Sequence, residues 1–462
     1  MRMTQEAPSR PGCGRTRHLN TRGVVSQQRV LTELQDSSGR IRRFLSWITL
    51  CGLVTVGLNS IAAAQNQDVS VKPLKPLPSV QLLDFTAALR STPGGDAYLR
   101  EPLEDPTGAT RQRIALWRER LAVPDGTFLE LVKDDRRQPE MRALGLRMLA
   151  DDHSGLDREL LAELLASDHQ TLRLETIRTL QDWKNEHARE FLRTIAADID
   201  NPPLLRAEAI VGLAPYAAGD KPTRTLLLRL ANGQNAILRS ESLRSLRGLA
   251  ASHPDVRATI TALAAKVNDC NSPFSHNDLE LVEQIVLAYG KDNRKQIPSR
   301  LLTAARDARP TDADDWYSKM KEGGDPAAGR RVFFHAKAAH CSQCHTIDGR
   351  GGLIASDLSN VGRATGRKLL VESIIEPSKK IPRPYVTWTV VTDRGKVYSG
   401  LIRDNLNQNI ELMTAENTLI EIPHSRIDHR SPQKVSLMPK DLVDRMTTAE
   451  FRNLIAYLRS RR

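Results

Sequence analysis

Cys341-Ser342-Gln343-Cys344-His345 is the stretch that decides how the C-terminal part of this chain is read. Two thiols three positions apart can form thioethers with both vinyl groups of a haem while the adjacent imidazole reaches the iron, so Cys-x-x-Cys-His is the attachment signature of haem c. Cys341 and Cys344 are then the attachment points and His345 the proximal ligand. The same residues also admit a zinc knuckle, a thioredoxin-like redox pair or chance. A zinc site ordinarily adds a second Cys or His pair, whereas beyond residue 64 the only other cysteine is Cys270, expected to be a buried structural thiol. A redox pair belongs in a βαβ setting, and what precedes Cys341 reads as helix.

Working outward, Gly324-Asp325-Pro326 opens a helix, Asp as its cap and Pro in its first turn. Gly329, Val332 and Phe333 share a face of that helix. In a cytochrome c arrangement this face packs on the last helix, read as Glu450 to Arg459, through Leu454, Tyr457 and Leu458. A low-spin electron-transfer haem needs a sixth ligand, often a Met sulfur. Ser436-Leu437-Met438-Pro439, on a loop before the last helix, makes Met438 the candidate iron ligand beside His345. Met446 reads as a core or helix-flank residue and Met413 as part of a strand, while His424 and His429 leave a bis-histidine site open. Between the two ligands, Tyr385–Thr392, Lys396–Arg403, Asn409–Met413 and Leu419–Ile422 alternate like strands, and Asp393-Arg394-Gly395 reads as a hairpin turn. An antiparallel β insertion is therefore expected at about 385–427, as a cover for the haem edge or as a partner surface.

Upstream, a frame recurs around Arg142, Arg173, Arg206 and Arg239, spaced 31, 33 and 33 residues apart. Leu172-Arg173-x-Glu175-x-Ile177-x-x-Leu180 is matched by Leu205-Arg206-x-Glu208-x-Ile210-x-x-Leu213 and by Leu238-Arg239-x-Glu241-x-Leu243-x-x-Leu246. The first copy is looser, with Met141 and Leu144. Three residues after each Arg stands Gly145, Thr176, Ala209 or Ser242, so a neighbouring helix can approach closely. Other amphipathic helices, Arg158–Ala166, His187–Ala197, Thr223–Ala231 and Asp255–Val267, lie between the copies. Helix pairs at this period describe an α-solenoid, with an ordinary helical bundle as the alternative. Arg and Glu of one copy stand two apart and cannot face each other; they are expected to pair with neighbouring repeats or loops, in a structural role.

At 462 residues the chain has room for two or three domains. Aromatics are only 4%, and the apolar share rests on Leu, Ala and Ile, which favours helices. Half of the formal net charge of +12 sits in residues 1–64, leaving a mildly basic remainder without the basic stripe and interleaved aromatics that nucleic-acid binding uses. Within those residues Arg40, Arg42 and Arg43 precede an apolar run from Phe44 to Leu58, and Ala62-Ala63-Ala64 comes after it. That is the layout of a secretory signal cut after Ala64, and too short for a stable membrane span. Because the run begins so far from Met1, residues 1 to about 38 read as an over-long start. Residues 65–133 read as a linker and helical region, 134–300 as repeats, 301–323 as a second linker and 324–462 as the haem module.

Residues 324–461 resemble the cytochrome c-like haem-binding domain of Planctomycetes and Verrucomicrobia, and the repeats resemble the HEAT-like units that often precede it. The resemblance rests on Gly-Asp-Pro with Gly329, Cys341–His345, Asp348-Gly349-Arg350-Gly351-Gly352, Asp357-Leu358, Ile375-Glu376-Pro377-Ser378, Gly395 with Gly400, and Ser436–Pro439. It implies one covalently attached haem c, held by Cys341, Cys344 and His345 with Met438 as distal ligand. Where the family usually carries Gly-Pro before Asp-Leu, this chain has Ala355-Ser356. A Ser still offers the carbonyl that commonly orients the proximal imidazole, but Pro's fixed φ is lost.

The expected architecture is mainly α: a HEAT-like α-solenoid, then a cytochrome c-type helical domain with a small antiparallel β insertion. The expected function is an exported or periplasmic monohaem cytochrome passing single electrons, a carrier rather than a catalyst. The solenoid docks it to a redox partner protein, and the family likeness points to periplasmic sugar or polyol dehydrogenases. A haem enzyme or ligand sensor with an open sixth position, and a scaffold with structural haem, are the alternatives.

Overall fold

In the computed structural model the chain divides into two compact units, Met1–Ser70 and Val71–Arg462. The described residues are 70–72 and 127–461, apart from 150–152, 184–185, 270–272, 291–293, 349, 353, 406–407 and 417. The expected signal, its cleavage point, the over-long start and Cys270 fall outside them. The second unit is mainly helical with small antiparallel sheets.

Residues 127–308 fold into helices α1 (Thr127–Lys133), α2 (Pro139–Met148), α3 (Arg158–Ala166), α4 (Gln170–Asp182), α5 (Glu186–Ala197), α6 (Pro203–Leu213), α7 (Lys221–Ala231), α8 (Ala236–Ser245), α9 (Pro254–Asn268), α10 (His276–Tyr289) and α11 (Ser299–Ala308). Caps mark the starts: Asp157, Asp220 and Asn235 accept from backbone N–H groups of the first turn, and Ser275 with Asp278 forms a capping box. The frame residues Leu172, Ile177, Leu180, Leu205, Ile210, Leu213, Leu238, Leu243 and Leu246 are all buried. The helices carrying the frame pack on one another in series, α2 on α4, α4 on α6, α6 on α8 and α8 on α10, while α3, α5, α7 and α9 lie between. Thr176, Ala209 and Ser242 are buried in this layer, so the small residue sits where helices press together.

The paired Arg and Glu of each copy separate their tasks. Arg142 Nε donates to the Val132 carbonyl (2.7 Å), Arg206 Nε to Ala196 (3.0 Å) and Arg239 Nη1 to Gly233 (3.1 Å). Each thereby satisfies a carbonyl at or just beyond the end of the preceding helix, where unpaired acceptors and the negative end of the dipole favour a cation. Arg173 donates to Asn201 Oδ1 instead. The glutamates point the other way, into the C-terminal module.

That module opens with α12 (Ala313–Lys319) and α13 (Pro326–Phe334), continues with α14 (Cys341–Cys344), α15 (Val361–Ala364) and α16 (Arg367–Ile375), and ends with α17 (Thr448–Ser460). Residues 301–323, read as a linker, are thus largely helical. Leu301 is buried in the repeat core, and Trp316 packs edge-on against Phe451 with ring centroids 5.2 Å apart. Asp325 caps α13, whose Gly329, Val332 and Phe333 meet α17; the Phe333 and Tyr457 rings are 5.9 Å apart. A Cβ at Gly329 would lie 1.9 Å from the Asn453 carbonyl oxygen, so only glycine lets these helices cross there.

Besides the short strand β1 (Ser70–Lys72), the strands are β2 (Thr346–Ile347) and β3 (Arg350–Gly351), then β4 (Thr387–Thr392), β5 (Val397–Asn405), β6 (Asn409–Met413), β7 (Leu419–Pro423) and β8 (Ile427–Pro432). The last five lie antiparallel in the order β7-β6-β5-β4-β8. Gly395, at φ +71°, makes the β4–β5 turn. The insertion runs past the boundary read at 427, because β8 joins the sheet beside β4. Its Ile-Asp-His-Arg-Ser-Pro sequence has no apolar alternation; it is an edge strand, largely exposed.

Candidate functional site

The repeat glutamates hold the module in place. Glu175 pairs with Arg350 (2.9 Å), Glu208 with Arg330 (2.8 Å) and Glu241 with Arg331 (2.7 Å), all with side chains at least nine-tenths buried. In return Arg244 and Arg247 of the repeats both reach Glu450 Oε1 at 2.7 Å. Glu283 accepts from the Thr448 N–H and hydroxyl, both at 2.8 Å, at the start of α17. His335 is fully buried: its Nδ1 accepts from the Lys337 N–H, so Nε2 carries the proton and donates to Ser245 Oγ (3.1 Å). Burial, with Arg244 and Arg247 nearby, holds its pKa well below the usual imidazole range. Burial alone would raise Glu175 and Glu208, yet arginines on both sides (Arg147 and Arg350 for Glu175, Arg330 and Arg178 for Glu208) hold both low.

On this base α14 presents Cys341 and Cys344 to an apolar cleft of about 320 Å³ that is partly open to solvent. His345 and Met438 line the same cleft, with Ile354, Tyr385, Leu401 and Leu437 among its apolar walls. His345 Nδ1 lies 2.9 Å from the Ser356 carbonyl. A carbonyl only accepts, so Nδ1 carries the proton and Nε2 is left with its lone pair. Burial pushes the Cys341 thiol up to about 12 and raises Cys344, and it lowers His345. Redox Cys-x-x-Cys pairs need the opposite, a depressed thiol.

The glycines after the motif have a steric reason. The β2–β3 hairpin folds onto α14: Gly352 N–H donates to Ser342 O and Ala355 N–H to Cys344 O, both at 2.8 Å. A Cβ at Gly352 would sit 1.9 Å from the Gln343 oxygen, and one at Gly351, whose φ is +112°, would sit 2.3 Å from the His345 oxygen.

Met438 is the methionine that lines the cleft; Met413 and Met446 are buried behind its walls, in the clusters that Cys344 and Leu437, and Cys341 and Met438, pack against. His424 and His429 do not line the cleft, and His429 is exposed on β8. The β insertion contributes Leu401 to the wall, and Cys344 packs against the cluster that Leu401 forms with Met413 and Leu419. Sequence reasoning passed over Ile381 and Pro382, and placed Tyr385 and Leu401 in strands without singling them out as lining. One signal for the first two lay in Ile375-Glu376-Pro377-Ser378: Ser378 Oγ accepts from the Ser436 N–H (3.1 Å), tying that segment to the Met438 loop.

No family model and no curated protein matches the chain. Among solved structures it is similar to human deoxyhypusine hydroxylase in complex with glycerol, at 17% identity over 55% of this chain and 97% of that one. The TM-score is 0.17, too low to imply a common fold. Among the described residues no helix is long and apolar enough to cross a membrane.

Proposed function

We propose that this chain is an exported monohaem c-type electron carrier. Cys341 and Cys344 attach the haem, His345 and Met438 ligate its iron, and an α-solenoid holds the cytochrome c-type module and serves docking to a redox partner protein. The observation that carries the reading is the shared cleft: both thiols, an imidazole with Nδ1 already committed, and a thioether line one apolar cavity.

That donor set fits haem c, whose iron supplies reversible one-electron chemistry when bound. The chain's own residues do the rest. Ser356 holds the His345 tautomer, the apolar walls would shield a bound haem from water, and Leu401 and Tyr385 line one side. Burial raises both thiol pKa values and leaves Cys341 and Cys344 protonated, which disfavours thiolate metal binding. Because Glu175, Glu208 and Glu241 are taken up by the chain's own module, partner docking falls to other surfaces. The cleft mouth is one, with Lys380, Pro439 and Arg445 exposed along it. Export rests on the segment Arg40 to Ala64.

Visible spectra of the exported, haem-loaded protein test this, oxidised and reduced, with and without carbon monoxide. The expected ferric spectrum has the weak long-wavelength band of sulfur ligation, the ferrous protein ignores carbon monoxide, and Met438→Ala loses the band and gains carbon monoxide binding. A high-spin native spectrum with ready carbon monoxide binding would move the reading to an enzyme or sensor with an open position.

A further inference from the structure

Arg350 lies on the hairpin behind the Cys-x-x-Cys-His motif, yet its guanidinium is bound by the repeats. Nη2 donates to Glu175 Oε1 (2.9 Å) and Thr179 Oγ1 (3.0 Å), and Nη1 to the Arg178 carbonyl (3.3 Å) and Asp182 Oδ2. All four acceptors stand on α4, and Arg350 is only 5% exposed. A planar fork held at four points fixes a backbone far better than a single contact does.

From Arg350 a short chain of hydrogen bonds leads to His345. Arg350 pairs across the hairpin with Ile347, and its neighbour Gly351 with Thr346. Thr346 Oγ1 donates to Gly352 O (2.7 Å), and Thr346 O accepts from the Leu358 N–H (2.8 Å). Ala355 N–H donates to Cys344 O (2.8 Å). The loop 355–358 is thus tied at both ends, to the motif and to the hairpin, and between the ties Ser356 presents the carbonyl that accepts the hydrogen bond from His345 Nδ1–H. In this chain no proline stiffens that loop, so its backbone position depends on the ties.

We propose that Arg350 is a positioning residue through which helix α4 of the repeat stack sets the orientation of His345. The coupling rests on the haem reading only where the iron is the reporter.

The test compares Arg350→Met with Glu241→Gln, which disturbs a repeat-to-module ion pair of the same kind at α13, away from the hairpin. Amide hydrogen exchange is followed at Gly352 and Ala355, and the reduction midpoint is measured in the haem-loaded protein. Arg350→Met is expected to speed exchange at both amides about tenfold or more, as a lost charged hydrogen bond would, and to shift the midpoint. Glu241→Gln is expected to lower global stability while leaving both local readouts at wild-type values. Equal changes in the two variants, or none in Arg350→Met, would reduce Arg350 to an ordinary interface residue. Should Arg350→Met fail to fold, Asp182→Ala removes one acceptor and is judged by the same comparison. If wild-type protein carries no haem, the proposed function fails, but the exchange comparison still decides the coupling.

Discussion

Glu450→Gln is expected to destabilise the folded chain by about 3–5 kcal/mol, the cost of stranding buried charge. Glu450 is 1% exposed, and one of its oxygens receives both Arg244 and Arg247. The other oxygen accepts from the Thr447 N–H (3.0 Å), closing the capping box of α17. Thr447→Ala separates the two roles: it removes only the hydroxyl cap and is expected to cost about 1 kcal/mol. Burial alone would raise the Glu450 pKa, but Arg244 and Arg247 bring it down to about 2 from an ordinary 4.5. A depressed carboxyl contributes stability that is complete above its unfolded pKa and is lost as pH falls through its folded one. About 3 kcal/mol of stability should therefore disappear between roughly pH 4.5 and 2, and urea midpoints in that window should decline less steeply in Glu450→Gln. A variant within 1 kcal/mol of wild type would mean that the repeats and α17 do not depend on this contact.

The range of each interaction decided whether it was legible in the sequence. Leu172, Ile177 and Leu180 announce themselves because a 3.6-residue period and a 33-residue repeat are local patterns, and their burial is implied by periodicity alone. The convergence of Cys341, Cys344, His345 and Met438 on one cleft was legible because a pentapeptide and a Met-Pro loop name their own chemistry. The use of the repeat glutamates was not. Spacing on one helix shows that Arg173 cannot reach Glu175, but nothing local shows that Glu175 meets Arg350, 175 positions on, or that Glu208 meets Arg330 after 122. Helix α12 was hidden for a similar reason: Asp312-Ala313-Asp314-Asp315-Trp316 is polar by composition, and its Trp has meaning only against Phe451.

Gly329→Ala should be among the most damaging single-methyl changes in the module, at about 3 kcal/mol or more, the upper end of overpacking costs. The added Cβ would meet the Asn453 oxygen at 1.9 Å, the Asn453 carbonyl carbon at 2.5 Å and Tyr457 Cβ at 2.7 Å. The first two are backbone atoms of α17, which cannot swing aside as a side-chain tip would, so the helices must separate. Separation also withdraws Arg330 and Arg331, on the same short helix, from Glu208 and Glu241, adding stranded charge to lost packing. Gly219→Ala is the control: nothing lies within 4 Å of its Cβ position, its φ is not positive, and the change should be neutral or stabilise by a few tenths of a kcal/mol. Denaturant unfolding followed by near-ultraviolet circular dichroism, which reports the packing of Phe333, Phe451 and Tyr457, decides the matter. Comparable midpoints for the two variants would mean that α13 does not cross α17 at residue 329, and the base on which α14 and the cleft are built would have to be redrawn.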